Sequence, residues 1–473
     1  MPISPAYQPD PQFVSLGEGF FDPVAPADFP QTILRYRNGR AAESVGLGEL
    51  SDSEWIAHFG RYSPLPANID PPVAMRYHGH QFRTYNPEIG DGRGFLFAQL
   101  REAGTGRLLD LGTKGSGQTP WSRFGDGRLT LKGGVREVLA TAMLEAQGVP
   151  TSRSFSLVET AEALERNDEP SPTRGAALTR LSHSHIRFGT FQRHAFEESP
   201  ERIAALIDHV ITHYYPELEG AVDRPAALLG AVSGRMARLA ASWMAAGFVH
   251  GVLSTGNMNI TGESFDYGPY RFLPRNDPNF VAAYFDHSGL YSFGRQAEAV
   301  FWNLRQLGGC FSLVSAPEPL VEALNGFAGA YRMELAAAMR RRLGVRSLGT
   351  GADSSLAQAA FQALAAGGEP LRWEPFFFDW FGGDEARALA GVRGEIYRED
   401  AFEDFRAQLA RFEPLRADAL DHAYFAAPEP QELIYEEIEA IWARIDQADD
   451  WSAFEAKLAA LETARQAYGL SEV

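Results

Sequence analysis

Three clusters of residues in this chain have the types and spacing needed for chemistry on a phosphate. In the first, Gly90-Asp-Gly-Arg-Gly94 stands before an apolar run that opens at Phe95. Glycines let a backbone take positive φ and come close to a ligand, so that N–H groups can point at phosphate oxygens. A plain hairpin turn has the same composition. In the second, Lys114 lies within Gly112-Thr-Lys-Gly-Ser-Gly117, just after the apolar run Leu108-Leu-Asp-Leu111. Glu137 follows on a helical segment, where it is placed to pair with that lysine. In the third, His250-Gly-Val-Leu-Ser-Thr-Gly-Asn257 is followed by Asp266-Tyr-Gly268. Asn257 and Asp266 offer hard oxygen ligands, which suit Mg²⁺ held against phosphates.

The elements that must position these residues follow from periodicity. Phe95–Leu100 and Leu108–Leu111 read as strands, and Val135, Val138, Leu139, Ala142 and Met143 recur at helical spacing. Gly148 with Pro150 marks the end of that helix near Gln147. Lys132 reads as a solvated charge at its start. A polar loop is expected over Asp168–Arg174, then a strand over Ala176–Thr179. Apolar stripes give helices from Glu201 and from about Arg224 to Phe248, and a glycine-rich loop region covers His250–Tyr270. Residues 1–73 read as an irregular N-terminal extension, 74–175 as a small β-rich lobe, 176–345 as a larger α-rich lobe and 346–473 as a helical tail. The predicted fold class is therefore α+β, with two lobes and two extensions.

Composition bounds the partners. The chain has 473 residues and a formal net charge of −18, which argues against a nucleic-acid partner because counterion release needs a basic face. A phosphate site in such a chain must be made by a few local arginines and lysines. The single cysteine, Cys310, excludes an internal disulfide and a multi-cysteine zinc site, and reads as a small buried hydrophobe. The segment Met1–Phe13 lacks the apolar core of a signal peptide, and no apolar run approaches the roughly 20 residues of a membrane helix. A cytoplasmic location with no membrane partner is expected.

The third cluster carries the most specific spacing. Protein kinases use His-Arg-Asp with an Asn five residues beyond the Asp, and then Asp-Phe-Gly. His250 and Asn257 keep that spacing, and Asp266-Tyr-Gly stands in the place of Asp-Phe-Gly. Lys114 then corresponds to the phosphate-binding lysine of the third kinase strand. Val252 occupies the position of the catalytic aspartate.

Taken in order, these motifs resemble the selenoprotein O family, whose bacterial members are often called YdiU, a kinase-like group of protein adenylyltransferases. The resemblance covers almost the whole length, through Tyr77-His-Gly-His-Gln-Phe82, Gly90-Asp-Gly-Arg-Gly94, Gly125-Asp-Gly127, Ser184-His-Ile-Arg-Phe-Gly189, His250-Gly-Val252, Phe265-Asp-Tyr-Gly-Pro269, Phe285-Asp-His-Ser-Gly289 and Phe376-Phe-Phe-Asp-Trp380. It implies a two-lobed protein-kinase-like fold with ATP bound in flipped orientation, the α-phosphate facing an incoming hydroxyl. Gly90, Gly92, Arg93, Asp126 and Gly127 would line the nucleotide site. Lys114, oriented by Glu137, and the forks of Arg180 and Arg187 would hold phosphates. Asn257 and Asp266 would bind Mg²⁺ or Mn²⁺. AMP would pass to a Ser, Thr or Tyr hydroxyl of a protein substrate.

The chain also departs from the family pattern. The family usually carries an aspartate, regarded as the proton acceptor, immediately before the metal-binding Asn; here that position is Gly256. A slowed enzyme is expected, with Asp266 or a metal-bound water left to take the proton. The alternatives are an ATP-binding pseudoenzyme acting as a scaffold, or a nucleotidyltransferase that uses UTP. The tail ends without a cysteine, which excludes an intramolecular thiol switch. His78 with His80, and His183 with His185, form His-x-His pairs that read as structural rather than zinc-binding. Asp286-His287 reads as a structural contact, and Phe376–Phe378 with Trp380 as an aromatic plug between tail and core.

Overall fold

The computed structural model describes residues 4–167 and 169–470. Met1, the start of the polar loop at Asp168, and Ser471–Val473 of the tail lie outside the described residues. The architecture is mixed α+β, a curled antiparallel sheet followed by many helices.

The strands of the main sheet are β1 (Phe21–Pro23), β2 (Ile33–Arg37), β3 (Val73–Met75), β4 (Leu96–Arg101), β5 (Leu108–Lys114), β6 (Leu129–Thr130), β7 (Arg153–Leu164) and β8 (Thr173–Ser182). Their order is β1-β3-β4-β5-β8-β7-β2, with β6 beside β8. Both outermost strands come from the first 73 residues, so the expected irregular extension instead closes the two edges of the sheet. These edge strands are only three and five residues long, so they present few unpaired backbone groups for edge-to-edge pairing. Its two short helices, Gly39–Ser44 and Asp52–Phe59, bury Trp55 and Phe59 against Phe97 and Phe155. Strand β8 begins at Thr173, so the expected polar loop is shorter than its composition suggested.

The helix Leu131–Ala146 lies on this sheet. Thr130 caps it by accepting from Gly133 N at 3.1 Å, and its Val135, Val138, Leu139 and Met143 are buried. Gly148 takes φ +75° just beyond it, as its position after the last turn requires. Lys132 is half-buried rather than freely solvated; its ammonium reaches Glu439 of the tail at 2.8 Å. Helices Pro200–Tyr214 and Arg224–Ala245 follow, and the second ends before Phe248 because Phe248-Val249 pairs with Arg271-Phe272.

Helices after residue 349 form the tail, and its last helix, Ser452–Tyr468, packs on Leu131–Ala146. Phe376, Phe377 and Trp380 are fully buried in a core shared with Met244 and Val249, as expected of an aromatic plug. A buried carboxylate completes the joint. Glu374 accepts from Gln147 at 2.8 Å and from Tyr468 at 3.0 Å, and pairs with Arg342. Cys310 is buried, as expected. Among the described residues, no helix is long and apolar enough to cross a membrane.

Candidate active site

Adjacent strands bring the first charges together. In the antiparallel pairing of β8 with β5, Leu178 faces Lys114 and Arg180 faces Gly112. Lys114 and Arg180 are thus diagonal neighbours on one face of the sheet. That face meets the helix Leu131–Ala146, from which buried Glu137 pairs with the Lys114 ammonium. Lys114 is the last residue of its strand rather than a loop residue after it, so the sheet itself fixes where the ammonium points.

The loop from His250 to Tyr270 supplies the opposing acid. His250 is buried, and its Nε2 lies 3.1 Å from the Phe265 carbonyl, which fixes the peptide before Asp266. Asp266 itself has φ +63°, a left-handed conformation uncommon for a residue with a side chain. Three cations hold it there. Lys114 Nζ is 2.8 Å from Oδ1, Arg180 Nη1 is 3.3 Å from Oδ1, and Arg187 Nη1 is 3.1 Å from Oδ2. Burial pushes this carboxyl upward, but Lys114, Arg180 and Arg187 outweigh it and hold it well below the usual carboxylate range. Arg187 also donates to the Gly256 carbonyl and reaches Asp91 Oδ1 at 3.4 Å. Its guanidinium lies over the rings of Tyr77 and Phe265, each 4.7 Å away.

These groups border one cavity of about 690 Å³. Gly90, Gly92, Arg93, Lys114, Asp126, Gly127, Arg180, Arg187, Gly256, Asn257 and Asp266 all line it, and Glu137 stands behind Lys114. Asp126 is tied across the mouth to Arg166 at 2.8 Å. Asn257 sits in the short turn Thr255–Asn257, and its Nδ2 donates to the Val252 carbonyl at 3.0 Å. That bond leaves the amide oxygen of Asn257 as an acceptor in the cavity that Asp266 also lines. Among the described residues, no group of three or more His, Cys, Asp or Glu side chains could hold a metal. A divalent cation here would have two protein oxygens, with the rest of its shell left to phosphate and water, as Mg²⁺ accepts.

The glycines act differently from expectation. Gly90, Gly92 and Gly94 do not have positive φ. Their need is space: a β-carbon at Gly90 would lie 2.5 Å from Trp121 Cγ, and one at Gly94 would lie 2.1 Å from the Thr113 carbonyl oxygen. The turn is therefore pressed against its neighbours, which shapes the cavity wall.

Sequence reasoning passed over Asp91, although it stands between two named glycines. It lines the cavity, and burial pushes its carboxyl above the usual range against the pull of Arg187. Trp121 and the wholly exposed Phe124, both on the cavity wall, were missed as well. An acid within a glycine turn was a readable signal; the approach of Trp121 and Phe124 was not. The histidine pairs make hydrogen bonds within the fold, His185 Nδ1 lying 3.1 Å from the Ser182 hydroxyl. His78 Nδ1 is 3.0 Å from the Tyr85 hydroxyl, and His80 Nδ1 is 2.9 Å from Gln192 Nε2. Asp286 accepts from the backbone N–H groups of Leu290 and Tyr291, so it secures a turn rather than contacting His287.

Comparison with known proteins places the chain in a family. A family model described as protein adenylyltransferase SelO matches residues 5–462. The chain belongs to the SelO family. A relative from Synechocystis sp., named protein nucleotidyltransferase YdiU, is 43% identical over 469 residues, covering 94% of this chain and 96% of the relative. One of the same name from Gloeobacter violaceus is 45% identical over 466 residues, covering 94% and 93%. A third, from Pseudomonas putida strain W619, is 37% identical over 408 residues. Membership of this family makes the chain a transferase of the nucleotidyltransferase kind.

Proposed function

We propose that this protein is a protein adenylyltransferase on a two-lobed, kinase-like scaffold, moving AMP from ATP to a Ser, Thr or Tyr hydroxyl of a protein. One observation carries the reading: Lys114, Arg180 and Arg187 converge on the single carboxylate of Asp266 inside the 690 Å³ cavity. In a chain of net charge −18, three buried cations meeting at Asp266, with Glu137 and Asp91 beside them, suit a triphosphate, whose oxygens would share them. Asn257 and Asp266 are the residues that would hold Mg²⁺ or Mn²⁺, which when bound neutralises phosphate charge. Glu137 aims the Lys114 ammonium, and Arg187 is braced by Tyr77 and Phe265. Positioning and electrostatics of this kind supply most of the catalysis in phosphoryl chemistry.

The acceptor oxygen bonds to the α-phosphorus, the α–β phosphoanhydride bond breaks, and pyrophosphate leaves with the electron pair. The acceptor's proton needs a base. Gly256 supplies none, Asp266 is held too acidic by its three cations, and Asp126 is lowered by Arg166 despite its partial burial. Asp91 is the carboxyl lining the cavity that burial raises, so it is the group best matched to take that proton.

Gly256 favours a second reading, an ATP-binding scaffold without turnover. The two separate on ATP labelled at the α- or γ-phosphate, supplied with Mg²⁺ or Mn²⁺, with intact mass followed. Adenylyl transfer gives retained α-label and a mass gain of one AMP, both lost in Asp266→Ala. Binding with neither label retained establishes the scaffold, and γ-label a kinase. UTP labelled at the α-phosphate, run in parallel, tests the choice of base.

A further inference from the structure

A second cavity, of about 740 Å³, shares no lining residue with the first. Among the described residues, its wall carries Arg40, Arg107, Arg153, Arg235, Arg238 and Arg465 against two glutamates, Glu145 and Glu263. This is a dense gathering of arginine for a chain with net charge −18. Part of the charge is met from behind the wall. Glu102 accepts from Arg107 at 2.8 Å and Arg153 at 3.0 Å, and Glu462 accepts from Arg465 at 2.7 Å. Arg40 pairs with Glu145 and Arg235 reaches Glu217 at 3.7 Å, so the six arginines stand among Glu102, Glu145, Glu217, Glu263 and Glu462. Arg153 gives Glu102 one of its five N–H donors, which leaves most of its fork for a ligand. Arg235 is held over the Tyr215 ring at 3.7 Å with one Nη donating to the Tyr214 carbonyl, so its plane is fixed.

His183 lies on the same wall. Burial, with Arg107 and Arg235 adding to it, pushes its pKa down to about 3, so the ring is neutral. Fixed guanidinium forks around an open cavity are the chemistry that grips phosphate bidentately.

We propose that this cavity is a second anion site, taking a compound that carries two or more linked phosphate groups. Its wall is shared with the segment that leads to Asp266. Thr151 and Glu263 both line it, Ser152 N donates to the Ser264 carbonyl at 2.9 Å, and Thr151 bonds the Tyr267 hydroxyl.

Titration calorimetry with tripolyphosphate, without metal, tests the site. Wild-type protein takes up two equivalents, one per cavity. Lys114→Ala/Arg187→Ala retains the second equivalent. Adding Arg107→Gln and Arg238→Gln to that double variant weakens it at least about tenfold, as loss of charge-assisted hydrogen bonds requires. Arg238→Glu alone, at an exposed position, gives the same direction and guards against a folding defect in the combined variant. ATP run in the same background separates a nucleotide from free oligophosphate, and binding of either at this site supports the assignment. No uptake by Lys114→Ala/Arg187→Ala, or uptake indifferent to Arg107 and Arg238, overturns it.

Discussion

Restoring a carboxylate at position 256 should accelerate the reaction, and the structure says how much can be expected. A β-carbon at Gly256 meets Tyr77 Cε2 at 3.4 Å and Cδ2 at 4.0 Å and nothing nearer, and the backbone there is not left-handed. Gly256→Asp therefore introduces no steric penalty that should distort the loop. Its charge would enter beside Arg187, which already donates to the Gly256 carbonyl, so the buried carboxylate has a cation at hand. General-base help is worth typically ~10²–10⁴-fold. At about 1.36 kcal/mol per tenfold, that is roughly 3–5 kcal/mol of barrier. If Asp91 serves as acceptor in the natural chain, it already supplies part of this. The cycle is then informative. Asp91→Asn should slow AMP transfer about 10²-fold in the natural background. In the Gly256→Asp background, which should itself be about 10²-fold faster, the same change should cost less than about tenfold. The assay is pyrophosphate release and α-label retention under saturating ATP, with ATP affinity measured alongside. Gly256→Asp that binds ATP normally and transfers no faster would refute the role assigned to the missing carboxylate. An Asp91→Asn rate equal to wild type in the natural background would refute the role given to Asp91.

Three further outcomes follow from packing and burial. Phe376→Ala, at a side chain with no exposure between Phe377 and Phe405, should cost about 3–5 kcal/mol in denaturant unfolding, since it opens a cavity in the tail core. Burial raises Glu432 to about 7 against the opposing pull of Arg372. The folded state then holds this proton while the unfolded chain has lost it, so the contribution is present below the unfolded carboxylate pKa and disappears as pH rises towards 7. Glu432→Gln should flatten that stretch of the stability–pH curve, and an unchanged slope would remove Glu432 as its source. The Cys310 thiol, pushed up to about 12 by burial, should resist a thiol reagent at pH 8 until the protein is unfolded; rapid labelling of native protein would contradict this.

Much of the candidate site was legible because its chemistry is written in short segments. Lys114, Asn257 and Asp266 stand at fixed spacings around strands and a helix, and local spacing survives folding. Glu137 was readable for the same reason, since helical periodicity places it on the face that meets the sheet. The membership of the chain in its family was likewise carried by ordered motifs along its length.

Other features depend on contacts between distant segments, which no local pattern encodes. That residues 21–37 supply both edge strands of the sheet follows from pairings with β3 and β7, and the first 73 residues show only proline, glycine and scattered apolar patches. Gly90 and Gly94 looked like freedom of φ and proved to be room for Trp121 and Thr113, because a glycine's use is set by what lies against it. Lys132 looked solvated until Glu439 came from the tail. Asp91 acquired its raised pKa from burial, and Asp266 its lowered one from Lys114, Arg180 and Arg187, all distant from it in the chain. The sequence determined which groups could hold a triphosphate. Folding alone decided their protonation, because desolvation and Coulomb attraction act over a few ångströms of space and not along the chain.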